Sequence, residues 1–439
     1  MERILPHTTV TKWTVRRTNG ATQVKWKANR QSVELNIALT LGLGKDFNLQ
    51  AILSRKKAPK GIGSITRTLD QTREYALCNL VVQRIASVLK GSETKPNPQS
   101  LRAISRMFDE DVVAEHLRQH HDLKLDVGAL FSSLRELAEQ SYENKALTFG
   151  IVITDNIGNR AESEANVVFP RDYFDSAESK RYRALSDGFR TAYEISPAGK
   201  LLGLCDLSEA GIEMHKGQHW YPEWCEYIAK RCQKNALGIC LTRQGDILVF
   251  DSGSLRFSYR CGRWQYWHHQ HVWDLLRNHA TTQKVEKRIR AEVVRSIYRA
   301  ALDVSFRRSG GLFVLLKNQN NMRELVADGD AIGDTVANNK RAHVHVEFDS
   351  TVQGKTVKQL PRPVLAELAG LDGAIVLNNN GRMLAYAAVL QTPKRRKLKP
   401  SEGSRTKAAI AASRYGIAVK VSSDGDITFY REGEPYLKI

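Results

Sequence analysis

The chain has 439 residues, 42% of them hydrophobic and 26% charged, with a formal net charge of +19. That length suits two or three domains of about 150 residues, and the composition excludes a disordered or collagen-like chain. No apolar run reaches the roughly 20 residues that cross a bilayer, and a pI near 9.6 points to an anionic partner: a nucleotide, a nucleic acid or an acidic protein surface.

The start, "MERILPHTTVTKW", lacks the apolar stretch of a secretory signal, so a cytoplasmic protein without a membrane segment is expected. The six cysteines (Cys78, Cys205, Cys225, Cys232, Cys240 and Cys261) form no Cys-x-x-Cys pair, which suits reduced, mostly buried thiols. Three regions are expected in an α+β chain: a basic mixed α/β region over 1–145, a β-rich region over 146–281 and a mixed sheet covered by helices over 282–439.

In the first region "WTVRRTNGATQVKWK" reads as two strands around an Asn-Gly turn. The first 60 residues hold 12 Lys/Arg against 3 Asp/Glu, which suits a solvated surface or a nucleic-acid contact. "KKAPKGIG" resembles a phosphate loop only loosely and reads as a basic loop. Apolar spacing predicts helices over 69–90, 101–119 and 127–140, with a polar loop from Lys90 to Ser100.

In the second region strands are expected at 147–154, 165–169, 237–242 and 246–250. "LRFSYRCGRWQYW" alternates in the manner of a strand passing into a helix, and "WQYWHHQHVWDLL" suits packing between domains or, second, a base-stacking surface. His215, His219, Cys225 and Cys232 include zinc-type ligands at a spacing that fits no standard zinc pattern. They read as ordinary surface and core residues.

The third region opens on a long helix over 282–306, with Val285, Ile289, Val293, Ile297, Ala301 and Val304 on one stripe. A strand over 312–316, a short helix over 364–369, and strands over 374–377 and 383–390 follow. A basic stretch, "TPKRRKLKPSEGSRTK", carries seven basic residues and one Glu. It leads into a helix capped by Ser404 and closed by Gly416, then strands over 417–421 and 427–430.

Two groups there carry chemistry. Asp372, at a strand entrance beside Gly373 and Ala374, can face a cleft whose small residues admit a ligand. A carboxylate there suits Mg²⁺ or Mn²⁺ with a substrate phosphate; the alternative is an ordinary turn aspartate. Gly403-Ser404-Arg405-Thr406-Lys407 sets free amides, two cations and a hydroxyl at a helix start, the parts of a phosphate site. The alternative is a solvated basic helix end.

From about Thr282 to the C-terminus the sequence resembles the diadenylate cyclase (DAC) domain of the DNA-integrity-scanning protein type. "RAALDVSFRRSGGLFVLL", "DGAIVLNNNGRMLAYAAVL" and "GSRTKAAIAASRYGIAVKVSSDGDITFY" carry the resemblance in the family's order. The Asp-Gly-Ala triplet is intact, while the His before it is Leu371. The family's Gly-Thr-Arg-His-Arg motif stands here as residues 403–407, and its acidic pair is reduced to Ser423-Asp424. The resemblance implies Asp372, Arg405 and Lys407 as catalytic groups and Asp372 and Asp424 as ligands of Mg²⁺ or Mn²⁺. It also implies Gly373, Ala374, Gly403, Ser404 and Thr406 around the nucleotide. Two ATP molecules would meet head to tail between facing subunits and condense to cyclic di-AMP. The alternatives are a degenerate sensor of a nucleotide or cyclic dinucleotide, and a basic nucleic-acid-binding or adaptor protein.

Overall fold

The computed structural model describes residues 9–18, 21–29, 33–41, 47–55, 76–77, 80, 98–155, 169, 171–175, 184–208, 218–233, 235–269, 272–273, 276–277, 286–326, 330–332, 352–391 and 403–439. The chain forms two compact units. One comprises Met1–His219 and Tyr227–Trp267, the other Trp220–Glu226 and His268–Ile439.

The first unit opens on an antiparallel meander of β1 (Thr9–Thr18), β2 (Ala21–Asn29), β3 (Val33–Leu41) and β4 (Phe47–Arg55). Thr18 pairs with Ala21; Asn19 and Gly20, where the sequence expects the turn, lie outside the described residues. Of the helix expected over 69–90, Ala76, Leu77 and Leu80 are helical; the rest lies outside the described residues, as does "KKAPKGIG". Helix α1 (Pro98–His120) starts inside the expected loop, because proline in a first turn gives up an amide that has no helical acceptor. Helix α2 (Val127–Ala138) is capped by Asp126, which accepts from the Ala129 amide at 2.9 Å. Its buried Val127, Leu130, Phe131, Leu134 and Leu137 recur every three or four residues.

A small hairpin, β5 (Ser141–Tyr142) and β6 (Lys145–Ala146), leads to a seven-stranded sheet. Its strands are β7 (Phe149–Ile153), β8 (Thr191–Ile195), β9 (Leu201–Asp206), β10 (Leu237–Leu241), β11 (Ile247–Asp251), β12 (Ser254–Arg260) and β13 (Arg263–Tyr266). They lie in the order β13-β12-β11-β10-β7-β8-β9. The stretch read as a strand passing into a helix is instead the hairpin β12–β13. Cys261 and Gly262 both take positive φ (49° and 76°), the geometry of a tight hairpin turn. Trp264 is thereby turned into the core against Phe131, ring centroids 4.4 Å apart. Of the strand expected at 165–169, Phe169 lies in a turn, and the others lie outside the described residues.

The second unit has a six-stranded mixed sheet. In chain order it runs α3 (Lys287–Arg307), β14 (Gly311–Leu316), α4 (Arg362–Gly370), β15 (Ala374–Leu377), β16 (Met383–Ala388), α5 (Ser404–Ala412), β17 (Gly416–Val421), β18 (Ile427–Arg431) and β19 (Glu434–Lys438). Strand order is β16-β15-β14-β17-β18-β19, with β14 and β15 parallel and the rest antiparallel. Leu312, Val314, Ala374, Val376 and Ala418 pack under Ala409, Ile410 and Ala412 of α5. On the opposite face Phe313, Leu315, Ile417 and Val419 lie near Val294 and Ile297 of α3. The expected α3 stripe is buried at Val293, Ile297, Ala301 and Val304, whereas Ile289 is exposed and Val285 lies outside the described residues.

Three local expectations are corrected. The cap of α5 is Gly403 and Ser404 is its first helical residue, so the serine hydroxyl does not close the helix end. Gly416 does not terminate α5; Ser413 does. Gly416 is the first residue of β17, where an added Cβ would lie 1.9 Å from the Leu315 carbonyl oxygen. The last strand, β19, is an addition that pairs along β18. No helix among the described residues is long and apolar enough to cross a membrane. Cys205, Cys225, Cys232 and Cys240 are buried free thiols and Cys261 is exposed; Cys78 lies outside the described residues.

Candidate functional site

The residues singled out in the third region meet at one end of the six-stranded sheet. Phe313 pairs with Ile375 in parallel register, and Gly311 pairs with Val421 in antiparallel register. The starts of β14 and β15 and the end of β17 therefore share an edge. Asp372 precedes β15 there, the Ser309-Gly310 turn precedes β14, and the turn holding Asp424 follows β17.

Asp372 is exposed because of what flanks it. Helix α4 ends at Gly370, and Leu371 turns the chain into extended backbone (φ −63°, ψ 156°). Gly373 then takes φ 117°, and a Cβ on it would lie 2.3 Å from the Ala387 carbonyl carbon. A ligand therefore does not explain this glycine: the backbone of β16, bulged between the Ala374 and Val376 pairings, occupies the space. Ala374 is buried beneath α5. Of the triplet, only the Asp372 side chain stands in solvent.

Arg405, in the first turn of α5, reaches across to that carboxylate. Its Nη2 lies 3.8 Å from Asp372 Oδ1, an ion pair too long for a hydrogen bond and weakened by solvent at this exposure. Its Nη1 lies 2.5 Å from where a Cβ of Gly310 would stand (φ 70°), so the missing side chain at 310 makes room for the guanidinium. The Thr406 and Lys407 amides both turn back to the Gly403 carbonyl, at 3.0 and 3.1 Å. The Ser404 and Arg405 amides begin the helix without an acceptor inside it, at the positive end of its dipole.

Lys420 on β17 is a residue that sequence reasoning missed. Its Nζ donates to Thr406 Oγ1 at 2.8 Å, which brings a third cation to the helix start. Burial pushes its ammonium below the ordinary lysine value, Lys438 adds to this, and Asp426 and Asp424 oppose it. A lysine inside an alternating strand carries no signal of its own; only the pairing of β17 with β14 places it under α5. Asp424 is exposed in the adjoining turn, and neighbouring Asp426 pairs with Lys438 at 2.5 Å. Lys407 is half-buried and touches none of these groups among the described residues.

Among the described residues, His219, Cys225 and Cys232 form no group of three metal-type ligands. Cys225 and Cys232 are wholly buried, burial pushes the Cys232 thiol well above its ordinary value, and His215 lies outside the described residues. His120, His121 and Asp251 do come together, their ligand atoms within 4.8 Å of one another. The Asp251 Oδ2 distances are 3.9 Å to His120 and 3.8 Å to His121, longer than the roughly 3.4 Å that separates ligands around one zinc ion. They suit histidine–carboxylate pairs at the negative end of α1. The tryptophans and histidines of "WQYWHHQHVWDLL" that the structure describes are buried, which fits packing and not an open stacking surface.

No family model matches the chain, and no curated protein matches it. Among solved structures it is similar to a hypothetical membrane spanning protein from Bacillus cereus, at 22% identity over 34% of this chain and 68% of the other, with a TM-score of 0.24. It is also similar to DacA from Staphylococcus aureus, at 21% identity over 34% of this chain and 87% of the other, again with a TM-score of 0.24. At that score neither overlap bears on fold or function.

Proposed function

We propose that the second unit is a nucleotide-binding domain of the diadenylate cyclase type, and that it condenses two ATP molecules to cyclic di-AMP. One observation carries this reading: Asp372 and Arg405, 33 positions apart, lie 3.8 Å from each other, at the sheet end where α5 presents its first amides. A carboxylate, a guanidinium, a lysine and the first-turn amides of a helix on one edge are the parts needed to hold a polyphosphate.

In this reading two copies face each other, each holding one ATP. Each 3′-hydroxyl oxygen bonds to the other nucleotide's α-phosphorus. The bond from that phosphorus to the pyrophosphate oxygen breaks, and the hydroxyl proton passes to solvent. Arg405, Lys407, Lys420 and the Ser404 and Arg405 amides hold the departing pyrophosphate and stabilise its charge. In this reading Asp372 and Asp424, both exposed carboxylates with hard oxygen ligands, would hold Mg²⁺ or Mn²⁺. When bound, such an ion neutralises charge on the phosphates.

A second reading, a sensor without turnover, is favoured by Lys407, which lacks the planar fork of the arginine it replaces, and by Asp372 being already paired with Arg405. Incubation of the purified protein with ATP and Mn²⁺, with products separated by chromatography, tests both. Cyclic di-AMP supports the cyclase. Saturable ATP binding without product supports the sensor, and neither binding nor product overturns both. Salt-sensitive DNA binding that survives Asp372→Ala would mark a nucleic-acid adaptor instead.

A further inference from the structure

The turn between α3 and β14 governs where the arginine of the sheet end can stand. Helix α3 closes on Arg308 at φ 55°. The Arg308 amide returns to the Ser305 carbonyl at 3.2 Å and the Ser309 amide to the Val304 carbonyl at 3.4 Å. Gly310 follows at φ 70°, and Gly311 opens β14. A positive φ on leaving a helix accounts for a glycine at 310. It does not account for what lies beside it. The side chain that residue 310 lacks would stand 2.5 Å from Arg405 Nη1 and 3.5 Å from its Cζ.

The two sides of that contact differ in how far they can give. The turn is held from both directions. Gly311 pairs with Val421, and a Cβ even there would lie 2.8 Å from the Ala369 carbonyl oxygen and 3.2 Å from the Val304 side chain. The start of β14 is therefore packed against α4 and α3 and has little room to shift. The root of Arg405 is held as well, because Lys420 on β17 donates to Thr406 in the same helical turn at 2.8 Å. The guanidinium is the part that moves, at the end of a flexible side chain. Its Nε is buried and has no hydrogen-bond partner among the described residues, and its Nη2 lies 3.8 Å from Asp372 Oδ1, beyond hydrogen-bond reach. The space at Gly310 is thus what places it.

We propose that Gly310 is a positioning residue for Arg405. The gap left by its missing side chain seats the guanidinium over the start of β14, within reach of Asp372 and of an anion at the first turn of α5. One added methyl group closes the gap, and the guanidinium swings away, since the backbone on either side is pinned. Arginine at 405 and glycine at 310 therefore act as a unit. That the seated guanidinium serves a polyphosphate rests on the nucleotide-binding reading; the seating itself does not.

The test uses the full chain with Gly310→Ala, Arg405→Ala and both together. Without ligand, each protein that retains Arg405 is treated with phenylglyoxal and its arginine peptides are mapped. Arg405 should react several-fold faster in Gly310→Ala, while Arg362, bonded to Asp303 through two nitrogens, keeps its rate. In calorimetric titration with inorganic pyrophosphate, Gly310→Ala should weaken binding about tenfold, the loss of one charge-assisted contact. The double variant should bind no more weakly than Arg405→Ala alone, because the second change acts only through the first. Gly310→Asn, which adopts positive φ more readily, gives the same readings if the alanine chain does not fold. An unchanged labelling rate at Arg405 overturns the proposal whatever the titrations give. Losses of binding that multiply in the double variant overturn it too, since they assign Gly310 to the turn alone. Faster labelling in a chain that binds neither pyrophosphate nor ATP upholds the seating and removes the nucleotide reading.

Discussion

At the scale of single residues, the exposed carboxylate of Asp372 depends on the glycine after it. Gly373 holds a positive φ with the β16 backbone pressed against its hydrogen atoms. Gly373→Ala should cost at least about 2–3 kcal/mol, read as a lowered urea midpoint, with nucleotide binding lost alongside. Arg405→Ala should leave the fold intact and weaken ATP binding by about 1.5–3 kcal/mol if a charge-assisted contact is lost, measured by titration. Lys420 ties binding to pH. Its folded-state pKa lies below the ordinary lysine value, so the folded chain releases this proton first, and stability rises with pH between the two values. A polyanion beside it restores the proton. ATP binding should therefore take up a proton in that alkaline window, seen as a dependence of binding heat on buffer ionisation enthalpy that Lys420→Met removes. The thiols divide by exposure: Cys261 should label ahead of Cys205, Cys225, Cys232 and Cys240 in native protein, as peptide mapping would show.

At the scale of elements, periodicity was the most informative signal. The three- and four-residue spacing from Val293 to Val304 marks the buried side of α3, and the two strands expected on either side of Asn-Gly pair as β1 and β2, because each signal depends on neighbours in sequence. Features set by partners distant in the chain left no such trace. Gly416 reads as a helix terminator, yet its role is close approach to Leu315 on a neighbouring strand. Ser404 has the composition of a cap, but the chain enters α5 one residue earlier. The alternation in "LRFSYRCGRWQYW" continues through its turn, since Cys261 gives no sign of adopting positive φ. In the candidate site, Asp372 and the 403–407 stretch were legible as residue types; Lys420 was not, since its partner Thr406 is set by strand pairing. Gly416→Ala should accordingly behave as a core defect, lowering stability by about 3 kcal/mol or more by forcing β14 and β17 apart, measured by chemical denaturation.

At the scale of the whole chain, sequence order and compact units do not coincide. Trp220–Glu226 belongs to the second unit although the chain on both sides of it belongs to the first. Within the second unit that segment sets Trp220 against Tyr298 and Trp273, at 5.0 and 5.6 Å between ring centroids. Its Glu223 amide donates to Asp303 at 2.8 Å, and its Tyr221 carbonyl accepts from Arg362. No single cut can separate the units: a protein beginning at His268 leaves seven of its own residues behind, opening the ring cluster and leaving the Asp303 carboxylate one donor short. Such a truncation should expose apolar surface, bind a hydrophobic dye and regain order when a peptide spanning 220–226 is supplied.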